Sequence, residues 1–109
     1  MAETPGMLAG LRILDLTTGG ALLCDRLLAD LGADVIVVEP PNGNPARSHG
    51  LFWQNRQGLD TGLYWMAYSH GKRSIIVDLS RDSGREILHR LADSADVLVE
   101  FFPLATSTA

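Results

Sequence analysis

LRILDLTTGGALLCDRLLADLGADVIVVEPP, residues 11–41, reads as one complete strand–helix–strand unit. Residues 11–16, with Leu11, Ile13, Leu14 and Leu16, form a short apolar run of the kind that makes a mostly buried strand. Thr17-Thr18-Gly19-Gly20 breaks that run. Between 21 and 31, Leu23, Leu27, Leu28 and Leu31 fall at i, i+4, i+5 and i+8, one stripe at helical period, which predicts a helix packed through those leucines. Gly32 suits the position just past a helix, where a positive φ is common. Residues 34–38 make a second buried strand, closed by Glu39 and by Pro40-Pro41, which cannot continue a ladder. Two buried strands joined by one helix are parallel, with a right-handed crossover. The unit opens a Rossmann-like sheet.

Working outward, residues 74–79 give a third strand, and Ser80 is the predicted N-cap of a helix over 81–92 in which Ile87, Leu88 and Leu91 share a face. Gly84 in its first turn lowers the helical propensity. The stretch 26–39 is echoed by 90–100, each a helix end turning tightly into an apolar strand, so 96–100 is the fourth strand. The expected fold is therefore α/β, a partial Rossmann-like parallel sheet in the order 3-2-1-4 with helices on opposite faces. Residues 1–10 read as a mobile N-terminal arm, 11–102 as the domain and 103–109 as an irregular tail. Because no helix follows strand 4 to cover it, the chain reads as truncated and that strand as an exposed edge. From 40 to 62 Pro, Gly and Asn cluster and periodicity stops, a loop long enough to be functional or disordered. Residues 63–68 then suggest a short helix presenting Tyr64, Trp65 and Tyr68.

The totals narrow the function classes. A chain of 109 residues holds one domain, and 46% hydrophobic with 20% charged residues suits a folded globular protein. A net charge of −4 speaks against a general nucleic-acid binder. With Cys24 the single cysteine, no internal disulfide forms, and a reducing cytoplasm is the expected compartment. No apolar run approaches the roughly 18 residues of a membrane span.

Several residues could carry chemistry. The turn Thr17-Thr18-Gly19-Gly20 at a helix start can offer backbone N–H groups to an anion. Glu39, about twenty residues on, stands where dinucleotide enzymes hold a ribose, but the G-x-G-x-x-G spacing is absent. NAD or FAD binding therefore ranks low, against a tight turn and a solvent-facing glutamate. Arg47 and Arg56 in the long loop and Lys72-Arg73 before strand 3 could neutralise phosphates, although such residues are commonly just solvated. His49, His70 and His89 have neither metal-ligand spacing nor a visible partner. Cys24 is expected to pack as a small apolar residue, and Asp15, Asp34, Asp78 and Asp96 to serve turns and caps.

Taken in order, Leu8-Ala9-Gly10-Leu11-Arg12-Ile13-Leu14-Asp15-Leu16-Thr17, the block from Leu27 through Gly32-Ala33-Asp34 to Glu39-Pro40-Pro41, Gly43-Asn44-Pro45-Ala46-Arg47, Gly71-Lys72-Arg73-Ser74-Ile75 and Ala95-Asp96-Val97-Leu98-Val99-Glu100 resemble the N-terminal segment of the CaiB/BaiF family. These are the class III CoA-transferases, which include formyl-CoA transferase-like and α-methylacyl-CoA racemase-like proteins. The resemblance implies coenzyme A as an acyl-CoA substrate, a carboxylic acid as the second substrate, no metal, and a homodimer for the full-length protein, while the charge and the lack of a long apolar run lead to the expectation of no nucleic acid and no membrane. It implies CoA contacts at Thr18, Gly19, Gly20, Ala21, Arg47, Lys72, Arg73 and Phe102. The family's usual Ala-Gly-Pro after strand 1 is here Ala21-Leu22-Leu23, the basic residue of strand 2 is Val37, the asparagine before the Gly-Lys-Arg-Ser block is Ser69, and Asn-Phe-Arg-Pro-Gly after strand 4 is Phe101-Phe102-Pro103-Leu104-Ala105. The family's catalytic aspartate matches no aspartate here, so no catalytic residue is assigned and the chain alone is expected to be inactive. A racemase fragment and a non-catalytic CoA-binding or assembly module are the alternatives.

Overall fold

Val35, Ile36, Val37 and Val38 are all buried, which requires cover on both faces of one strand. That strand, β2 (Asp34–Glu39), lies second in a parallel sheet with β1 (Arg12–Asp15), β3 (Arg73–Ile76) and β4 (Val97–Val99), in the order β3-β2-β1-β4. The computed structural model describes residues 6–17, 22–58 and 60–100. Ile13 pairs with Val35 and Val97, so the register stacks the three apolar runs side by side. The α/β class and the 3-2-1-4 order are those the sequence predicts.

Three helices close the faces: α1 (Leu22–Asp30), α2 (Leu63–Ser69) and α3 (Asp82–Asp93). Leu28 and Ala29 of α1 pack on Ile13 and Val35, and Leu22 packs with Trp65 of α2 on Val37. On the opposite face Leu88 of α3 packs on Leu16, Val38 and Val77. Alternation along β2 thus sends Val35 and Val37 to one layer and Val38 to the other. Gly32 takes φ +104° as α1 turns into β2, the conformation its place in the sequence predicts.

Several expectations need correcting. Leu23, Leu27 and Leu31 are exposed, because α1 turns Leu22, Asp25 and Ala29 toward the sheet instead. Of the predicted stripe only Leu28 packs inward; the other three leucines lie on the solvent side. Cys24 is exposed beside them rather than packed. Strand β3 ends at Ile76, short of the predicted 79, because Asp78 accepts hydrogen bonds from the Ser80 N–H and hydroxyl and turns the chain. With Ser80 so engaged, the N-cap of α3 is Arg81, which makes no side-chain cap bond. Gly84 is explained by packing: a Cβ there would sit 1.8 Å from the Asp78 carbonyl oxygen. Ile87 is exposed while Leu88 and Leu91 are half-buried.

Part of the predicted arm is docked, with the Leu8 N–H donating to the Leu31 carbonyl at 2.9 Å and its side chain packing against Ile13 and Val35. The loop from 40 to 62 is organised by 3₁₀ turns at Pro45–Ser48 and Trp53–Asn55, with an antiparallel bridge between Phe52 and Gly62. Strand β4 is an edge with Val97 and Leu98 exposed.

Candidate functional site

Parallel sheets place ligands beyond the carboxyl ends of their strands, and here β1 ends on Asp15 and β2 on Glu39, both buried. Glu39 is fully supplied with donors. Arg47 sends it a two-pronged guanidinium, Nε to Oε1 at 2.6 Å and Nη2 to Oε2 at 2.8 Å. The Asn44 N–H donates to Oε1 at 2.7 Å and the Ser74 hydroxyl donates to Oε2. Burial alone would raise this carboxyl, but the bonds from Arg47, Ser74 and Asn44 outweigh it and hold Glu39 at about 2. The solvent-facing glutamate is therefore an internal anchor, and its oxygens are occupied rather than offered to a ribose.

Local sequence explains the assembly. Asn44 caps the 3₁₀ turn through its side chain, which accepts from the Ala46 N–H at 2.9 Å, and Pro45 preorganises the first position. The turn swings Arg47 back over the sheet, where its guanidinium carbon lies 4.2 Å from the Trp65 ring centroid and Nη1 reaches Asp60 at 2.8 Å. Pro40, Asn44, Arg47, Phe52 and Gln57 line an open cleft of about 460 Å³ beside it.

The second centre lies under α1. Asp25 has no exposed surface, and Lys72 reaches it across the α1–α2 layer, with Nζ 3.9 Å from Asp25 Oδ2 and donating to the Leu22 carbonyl at 3.0 Å. Asp25 also lies within hydrogen-bonding reach of the Asp15 carboxyl. Burial, then the Asp15 carboxyl, push Asp25 up to about 8 against the pull of Lys72. Burial lowers the Lys72 ammonium, opposed by Asp25 and Asp15.

Of the residues singled out from the sequence, Arg47, Lys72 and Arg73 all border one small cleft of about 120 Å³, together with Val37, Trp65 and Ser74. Their charged ends diverge. Arg47 is on Glu39 and Lys72 is inside, whereas Arg73 is exposed and bridges to Asp34 at 2.7 Å, at the amino ends of the strands. Thr18, Gly19, Gly20, Ala21 and Phe102 lie outside the described residues. His49, without a visible partner in the sequence, stacks on Tyr64 with centroids 5.2 Å apart. Asp25 is absent from the residues the sequence points to; its signal is its position, three residues after Leu22 and four before Ala29, which makes a polar residue part of the helix's inward stripe. Among the described residues no cluster of His, Cys, Asp and Glu could hold a metal, and no helix is long and apolar enough to cross a membrane.

The sequence profile described as "CoA-transferase family III" matches residues 8–107. The succinyl-CoA:mesaconate CoA-transferase of Haloarcula hispanica is 43% identical over 102 residues, covering 93% of this chain and 26% of that protein. The succinyl-CoA:(R)-benzylsuccinate CoA-transferase subunit BbsE of Thauera aromatica is 40% identical over 89 residues, 82% of this chain and 22% of its own. The crystal structure of a CAIB/BAIF family protein from Brucella suis superposes with a TM-score of 0.81 at 34% identity, covering 94% of this chain and 28% of that one. The chain spans about a quarter of the length of the curated relatives it matches.

Proposed function

Since the chain belongs to CoA-transferase family III, we propose that it forms the CoA-facing half-sheet of a protein that moves CoA between carboxylic acids. The observation that carries this reading is the profile match across nearly the whole chain. In such a transfer an enzyme carboxylate attacks the acyl-CoA thioester carbon and expels the CoA thiolate, which then attacks the enzyme's own carbonyl and releases the donor as its carboxylate. The acceptor carboxylate next displaces CoA from the enzyme to give a second anhydride, and the thiolate attacks the acceptor carbonyl, freeing the enzyme carboxylate. No aspartate of this chain is assigned that nucleophile.

The role proposed for these residues is to hold CoA: the backbone of Thr18, Gly19, Gly20 and Ala21 and the cations Arg47, Lys72 and Arg73 meet its phosphates, and Phe102 its apolar part. That all three residues border one small cleft supports this, although their charged ends point to three different carboxylates. The whole protein would act on an acyl-CoA and a carboxylic acid in the cytoplasm, as a homodimer.

A non-catalytic binding or assembly module is the second reading. It is favoured by the side chains of Arg47 and Lys72, only 13% and 1% exposed and each engaged by a carboxylate. Calorimetry with CoA and with NAD, and an assay of acyl-CoA with a panel of carboxylates, test both readings. The chain should prefer CoA to NAD and show no turnover alone. Tighter NAD binding would overturn the ligand, and turnover above a buffer control would overturn the placement of the nucleophile. Failure to bind either ligand would leave the assembly module as the better reading.

A further inference from the structure

Asp15, Asp25 and Lys72 form a closed set of buried ionisable groups that the transfer reaction does not use. Asp15 and Asp25 are both 0% exposed, and the Lys72 side chain is 1% exposed. Among the described residues, Asp15 Oδ2 and both oxygens of Asp25 find no hydrogen-bond donor. Two carboxylates facing each other are acceptors only, so neither can satisfy the other while both are ionised. One added proton changes that, since a neutral Asp25 can donate to Asp15. It also balances the charge: two carboxylates and one ammonium sum to −1, and one proton brings the set to zero, the state a buried cluster favours.

The same groups grip both flanks of the β1–α1 connection. The Thr17 N–H donates to Asp15 Oδ1 at 2.7 Å on the strand side, and the Leu22 carbonyl accepts from Lys72 on the helix side. We propose that Asp15, Asp25 and Lys72 are a one-proton anchor between the end of β1 and the first turn of α1, tight while the two carboxyls share a proton and weakened when it is lost. The inference does not rest on the CoA reading.

Among the described residues, the charged groups that act on Asp25 are Asp15 and Lys72. Asp15 comes from β1 and Lys72 from the turn before β3, while Cys24 and Arg26 on α1 act on Lys72. Glu39 on neighbouring β2 is already matched by Arg47, Asp34 at its other end faces Arg12 and Arg73, and α2 offers only Tyr64 and Tyr68 as ionisable groups.

In the unfolded chain Asp25 ionises near 3.8, whereas the native protein keeps its proton to about 8. Between these values the native state binds one more proton, so stability falls as pH rises. Lys72, lowered in the native state, acts with the opposite sign under more alkaline conditions, so the diagnostic window closes near neutrality.

The test is urea unfolding of the chain and of Asp25→Asn at several pH values. Asparagine keeps the shape, stays neutral and can still donate to Asp15. Between about pH 5 and pH 7 the wild-type folding constant should fall about a hundredfold relative to the variant. Curves parallel within about threefold would overturn the proposal, since a purely structural Asp25 shifts stability without changing its pH slope. Asp15→Asn leaves one carboxylate with one ammonium and, because burial of Asp25 remains, should flatten the curve only in part, which keeps the test open should Asp25→Asn fail to fold. Carboxyl-carbon NMR of the unmodified protein is independent of both variants. A shared proton retained through neutral pH supports the anchor, and two carboxylates fully ionised by about pH 6 overturn it.

Discussion

Glu39, at the end of β2, collects the Arg47 fork, the Ser74 hydroxyl and the Asn44 N–H, whereas Asp25, in the first turn of α1, meets a second carboxyl and an ammonium 3.9 Å away. Both are almost without exposed surface, and Glu39's strand lies directly beside that of Asp15. Burial penalises ionisation at each. Five-donor arginine geometry, with two further donors, overrides the penalty at Glu39; a single distant ammonium does not at Asp25. The state of a buried carboxyl is thus set by how many donors the fold aims at it.

The strongest way to break this comparison is to delete one side of the matched centre. Glu39→Ala strands Arg47 half-buried, with Ser74 and the Asn44 N–H unpaired, and should cost about 3–5 kcal/mol by urea unfolding. A loss under about 1 kcal/mol would mean that the Arg47–Asp60 and Arg47–Trp65 contacts hold the loop without it.

Next comes pH. Glu39 ionises at about 2 in the native state against an ordinary 4.5, so its stabilisation is complete above the ordinary value and lost as pH falls through about 2. Glu39→Gln should remove roughly 3 kcal/mol of acid sensitivity, seen as a flatter stability curve below about pH 5. Asp25 contributes with the opposite sign, so the two variants should bend the curve at opposite ends. A smaller effect is expected at Ser74, one donor among several: Ser74→Ala should cost about 1–2 kcal/mol, read from the same unfolding curves.

Much of this architecture is legible in the sequence, and for a physical reason. The order β3-β2-β1-β4 follows from two βαβ windings whose strands are apolar on both faces, a signal carried by Val35 to Val38 without tertiary knowledge. The face of α1 is not legible in that way. Leu23, Leu27 and Leu31 carry more hydrophobicity than Leu22, Asp25 and Ala29, yet helix rotation is fixed by what the sheet and α2 accept. The site fared likewise. Arg47 and Lys72 are visible as cations, but their carboxylate partners are 8 and 47 residues away in sequence, and only folding pairs them.

Arg73 supplies the same charges in water, and the smallest effect. It donates to Asp34 Oδ1 and Oδ2 at 3.0 and 2.7 Å, and Arg12 shares that carboxylate at 3.0 Å. Burial works against ionisation of Asp34, and the bonds and charges of Arg73 and Arg12 together carry it below its ordinary value. Arg73 is 62% exposed and Asp34 37%, so solvent screens the attraction, and ordering a long side chain offsets part of what remains. Arg73→Ala should change stability by less than about 1 kcal/mol, and Arg12 should keep Asp34 paired. The same variant separates fold from ligand. If Arg73 meets a CoA phosphate, its loss weakens CoA binding in calorimetry, more at low salt than at high, while the urea midpoint barely moves. If affinity is unchanged, Arg73 is only a clamp at the amino ends of β2 and β3. A stability loss near that of Glu39→Ala would overturn the comparison itself, because an exposed pair would then match a buried one.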